Sequence, residues 1–141
     1  MIRGNETQAK ARAKTMRVKG KVFSGTGKGA QFASLPWVKR QIKEKLGFNP
    51  YPGTLNLRLN SDFIVVRKLL ENAKAIDILP EPGYCSGKCF RAHIMQRLKC
   101  AVILPCVKNY PKDVLEIVAP SNLREKLKLR NGDEVEVKIF L

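Results

Sequence analysis

The sequence holds one histidine, His93, and only 12 acidic residues among 141. No Ser-His-Asp or Cys-His set is apparent around it, and a single imidazole makes no histidine cluster for a metal. His93 sits in an apolar stretch with no partner at ligand spacing, so a structural role is expected. No apolar run approaches the roughly 18 residues of a membrane span, and no membrane partner is expected. The basic N-terminus has no apolar stretch behind it, so it does not read as a secretory signal. Aromatic residues make up only 7%, with no stacking cluster among the basic residues. That counts against a dedicated single-strand-binding platform. There is no phosphate-binding GxxxxGK[ST], no internal repeat and no low-complexity body segment.

Basic residues are what is abundant. Lys and Arg number 27, giving a formal charge of +15. Such a chain should seek polyanions: nucleic acid, nucleotide phosphates or acidic lipid heads. Residues 1–20 hold Arg3, Lys10, Arg12, Lys14, Arg17 and Lys19 against one acid, Glu6, yet the rest of the chain is basic too. Residues 1–16 read as a flexible basic tail and 17–141 as one domain. The 44% hydrophobic content supplies a core for it. Cys85, Cys89, Cys100 and Cys106 lack zinc-ribbon spacing, so reduced thiols in a cytoplasmic protein are expected.

Strand propensity begins at Arg17–Phe23. Ser24–Gly29 (SGTGKG) reads as a glycine-rich turn, and residues 31–36 are not expected to open a helix directly. Pro36–Gly47 reads as a helix, with Trp37, Val38, Gln41, Ile42 and Leu46 at helical spacing. Two prolines stiffen Asn49–Gly53. Thr54–Leu59 alternates as a half-buried strand, with Leu55, Leu57 and Leu59 on one side and Thr54, Asn56 and Arg58 on the other. A short helix is expected within Phe63–Asn72 and a turn over Glu81–Gly87. Lys88–Leu98 and Cys100–Pro105 read as a hairpin, and Val114–Ala119 as another strand. Asn122–Leu129 reads as a helix opened by Asn122 and Glu125 at capping-box spacing. After the Asn131–Asp133 turn, Glu134–Phe140 alternates as a closing strand. Many strands with two short helices imply a mainly-β barrel.

Three segments carry candidate chemistry, and each has an ordinary structural alternative. The SGTGKG loop is either a hairpin turn or a cradle whose amides cup phosphate, with Lys28 adding charge. Thr54 and Asn56 are either polar residues on a wet strand face or hard oxygen ligands for Mg²⁺, which completes its shell with water and substrate phosphates. Glu116 stands among Leu115, Ile117 and Val118, so it is either solvent-facing by alternation or placed for a task. Ser121 and Asn122 at a helix start offer donors to an anion or base edge, with Arg124 as phosphate partner or surface residue. Phe32 and Trp37 read as core.

Taken together, SGTGKG, LGFNPYPGTLNLRL at 46–59 and YPKDVLEIVAPSNLREKLKLRNGDEVEV at 110–137 resemble the archaeal CTP-dependent riboflavin kinases over about residues 17–140. The resemblance implies a small six-stranded cradle-loop barrel with short flanking helices. It implies a reaction of riboflavin with CTP to give FMN and CDP. Carried over by position, Gly25, Thr26, Gly27, Lys28, Gly29 and Ala30 would form one nucleotide contact. Ser121, Asn122, Leu123, Arg124, Glu125 and Lys126 would form the other. Thr54 and Asn56 would ligate Mg²⁺ or another divalent cation, and Glu116 would lie at the flavin. Lys108 stands where the family often has a flavin-side threonine, and Lys28 where its first loop often has an acid.

The mechanism expected is phosphoryl transfer, which depends on positioning and charge neutralisation. Glu116 would act as catalytic base toward the riboflavin hydroxyl. Two other classes fit the composition: a basic barrel that binds nucleic acid, and a non-catalytic CTP or flavin sensor. Incidental nucleic-acid affinity through the tail is compatible with a kinase, and a monomer is expected.

Overall fold

The computed structural model describes residues 14–25 and 27–141, so Thr26 and most of the basic tail lie outside the described residues. Seven strands form one antiparallel sheet: β1 (Thr15–Phe23), β2 (Leu55–Leu59), β3 (Ile76–Ile78), β4 (Gly87–Ile94), β5 (Leu98–Pro105), β6 (Val114–Val118) and β7 (Glu134–Phe140). The order is β3-β4-β5-β6-β2-β1-β7, and a further β4–β7 pairing closes six of them into a barrel. β3 and β7 share one edge of β4 in succession: Ile76–Ile78 pairs with Gly87–Cys89, and Val137–Ile139 with Ala92–Ile94. The expected barrel is therefore present, with β3 as an added edge strand.

Alternation decides which side chains fill the barrel. Val18, Val22, Leu55, Leu57, Leu59, Val135, Val137 and Ile139 point inward and are buried together with residues of β4, β5 and β6. Each fully buried aliphatic side chain contributes about 1.5–3 kcal/mol to stability. Helix α3 (Ile64–Asn72), preceded by a short 3₁₀ turn at Ser61–Phe63, adds Leu70 to this core.

A second core lies outside the barrel wall. Helices α1 (Lys28–Ser34) and α2 (Pro36–Leu46) cover Ile78, Cys89, Ala101, Ile103 and Val118 with Phe32, Ala33, Trp37, Val38 and Ile42. Phe32 and Trp37 meet edge to face at 5.9 Å, as core residues should. β6 is consequently buried on both faces. That is how Glu116, on the outward side of β6, comes to be only 1% exposed.

Four local readings need correction. β1 starts at Thr15, two residues before the expected Arg17. α1 begins at Lys28, inside the segment read as a turn, and runs through residues expected not to open a helix. Its N-cap, Gly27, is left-handed (φ 89°) and supplies no side-chain cap, so the usual helix-start signal is missing. The hairpin turns at Met95 and Gln96, both at positive φ, so Leu98 opens β5 rather than ending β4. The last helix, α4 (Leu123–Leu127), ends earlier than expected because Lys128 is left-handed. Its capping is as read: Asn122 Oδ1 accepts the Glu125 N–H at 3.2 Å. Among the described residues, no helix is long and apolar enough to cross a membrane.

Candidate active site

Asn56 on β2 and Glu116 on β6 stand directly opposite each other on the outer wall. Three donors converge on the Glu116 carboxylate. Thr54 Oγ1 donates to Oε1 at 2.5 Å, the Gly29 N–H donates to Oε2 at 3.0 Å, and the Tyr110 hydroxyl donates to Oε2. A buried carboxylate is costly unless hydrogen-bonded, and these contacts supply that compensation. Burial above all, then the hydrogen bond to Glu116 and its charge, push the Tyr110 phenol well above its ordinary pKa, opposed by Arg67.

The glycine loop presses down on both candidate side chains. A Cβ on Gly25 would fall 2.2 Å from Asn56 Oδ1, and one on Gly29 would fall 2.2 Å from the Glu116 carboxyl carbon. At these two positions only glycine lets the backbone come so close. Among the described residues, Asn56 Oδ1 is buried and has no hydrogen-bond partner. An unpaired buried oxygen of this kind is costly and calls for a partner such as a cation. With the Thr54 hydroxyl proton directed at Glu116, its lone pairs stay available, so the two residues fit a hard, weakly held divalent ion.

Two cavities flank this centre. One, of about 180 Å³, is lined by Tyr51, Gly53, Thr54, Ser121, Asn122 and Arg124, among others. The other, of about 540 Å³, is lined by Arg67, Gly87, Leu104, Lys108, Tyr110 and Lys112, among others. Thr54 belongs to the first and Tyr110 to the second, and both bond to Glu116. The carboxylate thus links the two cavities.

A family model with the short name CTP-dep_RFKase, described as the domain of unknown function DUF120, matches residues 22–139. The chain belongs to this family. The riboflavin kinase of Pyrobaculum islandicum is 41% identical over 134 residues, covering 90% of this chain and 62% of that protein. That of Archaeoglobus fulgidus is 39% identical, covering 90% of this chain and 56% of that protein. The riboflavin kinase of Sulfurisphaera tokodaii is 40% identical over 136 residues, 92% of this chain and 99% of that protein. The chain therefore spans about three-fifths of the first two relatives and nearly all of the third.

Within this CTP-dep_RFKase domain, the two candidate nucleotide segments come together. Arg124 Nη2 donates to Asn131 Oδ1 at 2.7 Å and to the Phe23 carbonyl at 3.3 Å, and Asn131 Nδ2 donates to Ser24 Oγ at 3.4 Å. These bonds tie α4 to the start of the glycine loop. Gly27 and the exposed Lys28 stand at the start of α1, followed by Ala30. Leu123 is buried in the barrel core and also lines the smaller cavity. Glu125 and Lys126 are exposed and do not line the cavity beside Ser121, Asn122 and Arg124. Lys108 is exposed at the larger cavity. Among the described residues, no group of three or more His, Cys, Asp or Glu could hold a metal.

Tyr110, Arg67 and Tyr51 were not selected from the sequence. Arg67 is 3% exposed; it donates to the Val114 carbonyl at 3.1 Å and to Glu71 at 2.7 Å, and its guanidinium lies 5.3 Å from the Tyr110 ring centroid. Tyr51 accepts a weak bond from Asn122 Nδ2 at 3.5 Å on the smaller cavity. Only the position of Tyr110 inside the resembling segment 110–137 could have drawn notice to it.

Proposed function

We propose that this chain is a CTP-dependent riboflavin kinase that transfers the γ-phosphoryl group of CTP to the riboflavin 5′-hydroxyl, yielding FMN and CDP. The observation that carries the reading is the bridging position of Glu116, bonded to Thr54 of one cavity and Tyr110 of the other. A donor and an acceptor bound in adjacent cavities would meet at this carboxylate. The family-model name and the relatives' name, riboflavin kinase, support the choice of CTP and riboflavin.

The smaller cavity, with Ser121, Asn122 and Arg124, receives the nucleotide, and the glycine loop with Lys28 covers its phosphates. Thr54 and Asn56 would hold a divalent ion, Mg²⁺ for preference, which when bound supplies positive charge to the phosphate oxygens. The larger cavity receives the flavin, with Lys108 at its edge. Glu116 orients the 5′-hydroxyl and accepts its proton as the new O–P bond forms and the bond to CDP breaks. Tyr110 and Thr54 fix the carboxylate through their hydroxyls. A cytoplasmic monomer belongs to this reading.

The test incubates the purified chain with riboflavin, a divalent ion and each nucleoside triphosphate in turn, separating FMN by chromatography. FMN formed with CTP far faster than with ATP, GTP or UTP is the expected result. No FMN with any nucleotide contradicts the kinase reading, and FMN with ATP alone contradicts the choice of donor.

A further inference from the structure

The barrel wall diametrically opposite the Asn56–Glu116 seam carries a row of basic residues. Strand register places Arg17, Lys138, His93 and Lys99 side by side on β1, β7, β4 and β5. All four point outward, because their chain neighbours Val18, Val137, Ala92 and Cys100 are buried in the barrel. Adjacent strands lie about 4.8 Å apart, so the row crosses about 14 Å of wall. Arg17 and Lys138 stand directly opposite as like charges, which is destabilising in a sheet, and no acid interrupts the row. The acids of β7, Glu134 and Glu136, pair in register with Lys21 and Lys19 instead. Glu136 also reaches Arg17 at 3.5 Å, but Lys138 and Lys99 make no ion pair among the described residues.

Two further features adjoin the row. The Phe140 ring lies 4.9 Å from the His93 ring and 5.5 Å from Lys138 Nζ. Beside His93 and Lys99 a cavity of about 330 Å³ has apolar walls from Leu46, Phe48 and Pro120. That volume falls at the low end of ligand pockets, about 300–1,000 Å³, and suits a planar ring. Cations spaced along a wall, with an aromatic ring and an apolar slot between them, match a phosphate backbone that carries bases. An anionic membrane fits less well, because the exposed apolar cluster of Ile64, Val65 and Leu69 is on α3, and Met95 near this row has no apolar cluster around it.

We propose that this wall binds single-stranded nucleic acid. Arg17, Lys138 and Lys99 contact backbone phosphates, while a base stacks at Phe140 or enters the slot beside His93. The surface shares no residue with the kinase site, so the two readings stand or fall separately.

Fluorescence anisotropy of the full chain with short single-stranded RNA and DNA of one sequence tests this across about 50–200 mM salt, where phosphate contacts are strongly salt-dependent. Three phosphate contacts predict a slope of log K on log salt near about −2. The double variant Lys99→Glu, Lys138→Glu should weaken binding at least about tenfold and flatten the slope by about 1.4. The control double variant Lys68→Glu, Lys128→Glu has the same net charge and should change affinity less than about threefold, since it removes no proposed contact. The melting temperature of Lys99→Glu, Lys138→Glu should match the unaltered chain, which verifies its fold whatever the kinase assay gives. Binding of either polymer with this pattern supports the surface. Equal losses in both variants, wild-type binding by the first, or binding to anionic vesicles but to neither oligonucleotide would overturn it.

Discussion

Gly29 lies so close over Glu116 that its own N–H donates to the carboxylate at 3.0 Å, while a Cβ in its place would fall 2.2 Å from the carboxyl carbon. Gly29→Ala must therefore move α1 or Glu116. The expected outcome is a loss of FMN formation of at least about tenfold with a folded barrel, since the barrel core is separate from this contact. Gly25→Ala, which meets Asn56 in the same way, should behave likewise. Steady-state kinetics paired with thermal melting checks both; full activity in either variant would show that the loop has room to spare.

Among the described residues Asn56 Oδ1 is buried without a partner, a liability for folding that the proposed divalent ion would relieve. Leaving such a group unsatisfied costs about 1–3 kcal/mol. Asn56→Ala should thus lose most turnover while its melting temperature is unchanged or higher. The rise in melting temperature produced by nucleotide with Mg²⁺ should vanish in this variant, and chelation should stop the unaltered enzyme. An Asn56→Ala chain that melts markedly lower and still turns over would place the metal elsewhere.

Glu116→Gln should lower turnover about 10²–10⁴-fold, the usual contribution of a positioned general base. A fall below about threefold would reduce Glu116 to a binding residue. Tyr110→Phe should cost less, because it removes one of three donors to a carboxylate that remains. With its phenol pushed well above the ordinary range, Tyr110 stays protonated wherever the enzyme works. Tyr110→Phe should therefore lower kcat without deleting any alkaline limb of the pH profile.

Burial pushes the Cys89 and Cys100 thiols up to about 12. In the unfolded chain they ionise near their ordinary value of 9.0. Above that pH the unfolded state releases protons that the folded state keeps, so stability falls as pH rises from about 9 towards about 12. The slope contributed is at most about 1.4 kcal/mol per pH unit for each thiol. Urea denaturation at pH 8 to 11, compared with Cys89→Ala, Cys100→Ala, should show a steeper alkaline loss for the unaltered chain. In native protein only the exposed Cys85 and Cys106 should react with a thiol reagent, and all four after unfolding.

The elements most readable from sequence were those whose burial follows a simple period. Leu55, Leu57 and Leu59 alternate into the barrel, and Trp37, Val38 and Ile42 line one face of α2. β3 was missed because three residues carry too little pattern, and α1 because its cap is a left-handed glycine rather than Ser, Thr, Asp or Asn. Thr54, Asn56 and Glu116 were singled out, but local spacing could not show that two strands and a helix start bring them together. Tyr110 reaches Glu116 only after the chain reverses through Asn109 at φ 61°, a turn with no glycine to mark it. The row of basic residues was equally hidden, since Arg17, His93, Lys99 and Lys138 come from four strands and only register sets them side by side.

The most direct measurement is a crystal structure of the chain with Mg²⁺, a non-hydrolysable CTP analogue and riboflavin. The predicted density has a cation touching Thr54 and Asn56, nucleotide beside Ser121 and Arg124, and the flavin's ribityl end at Glu116 within the Tyr110 cavity. Either ligand bound away from Glu116, or Thr54 and Asn56 facing bulk solvent with both ligands present, would contradict it.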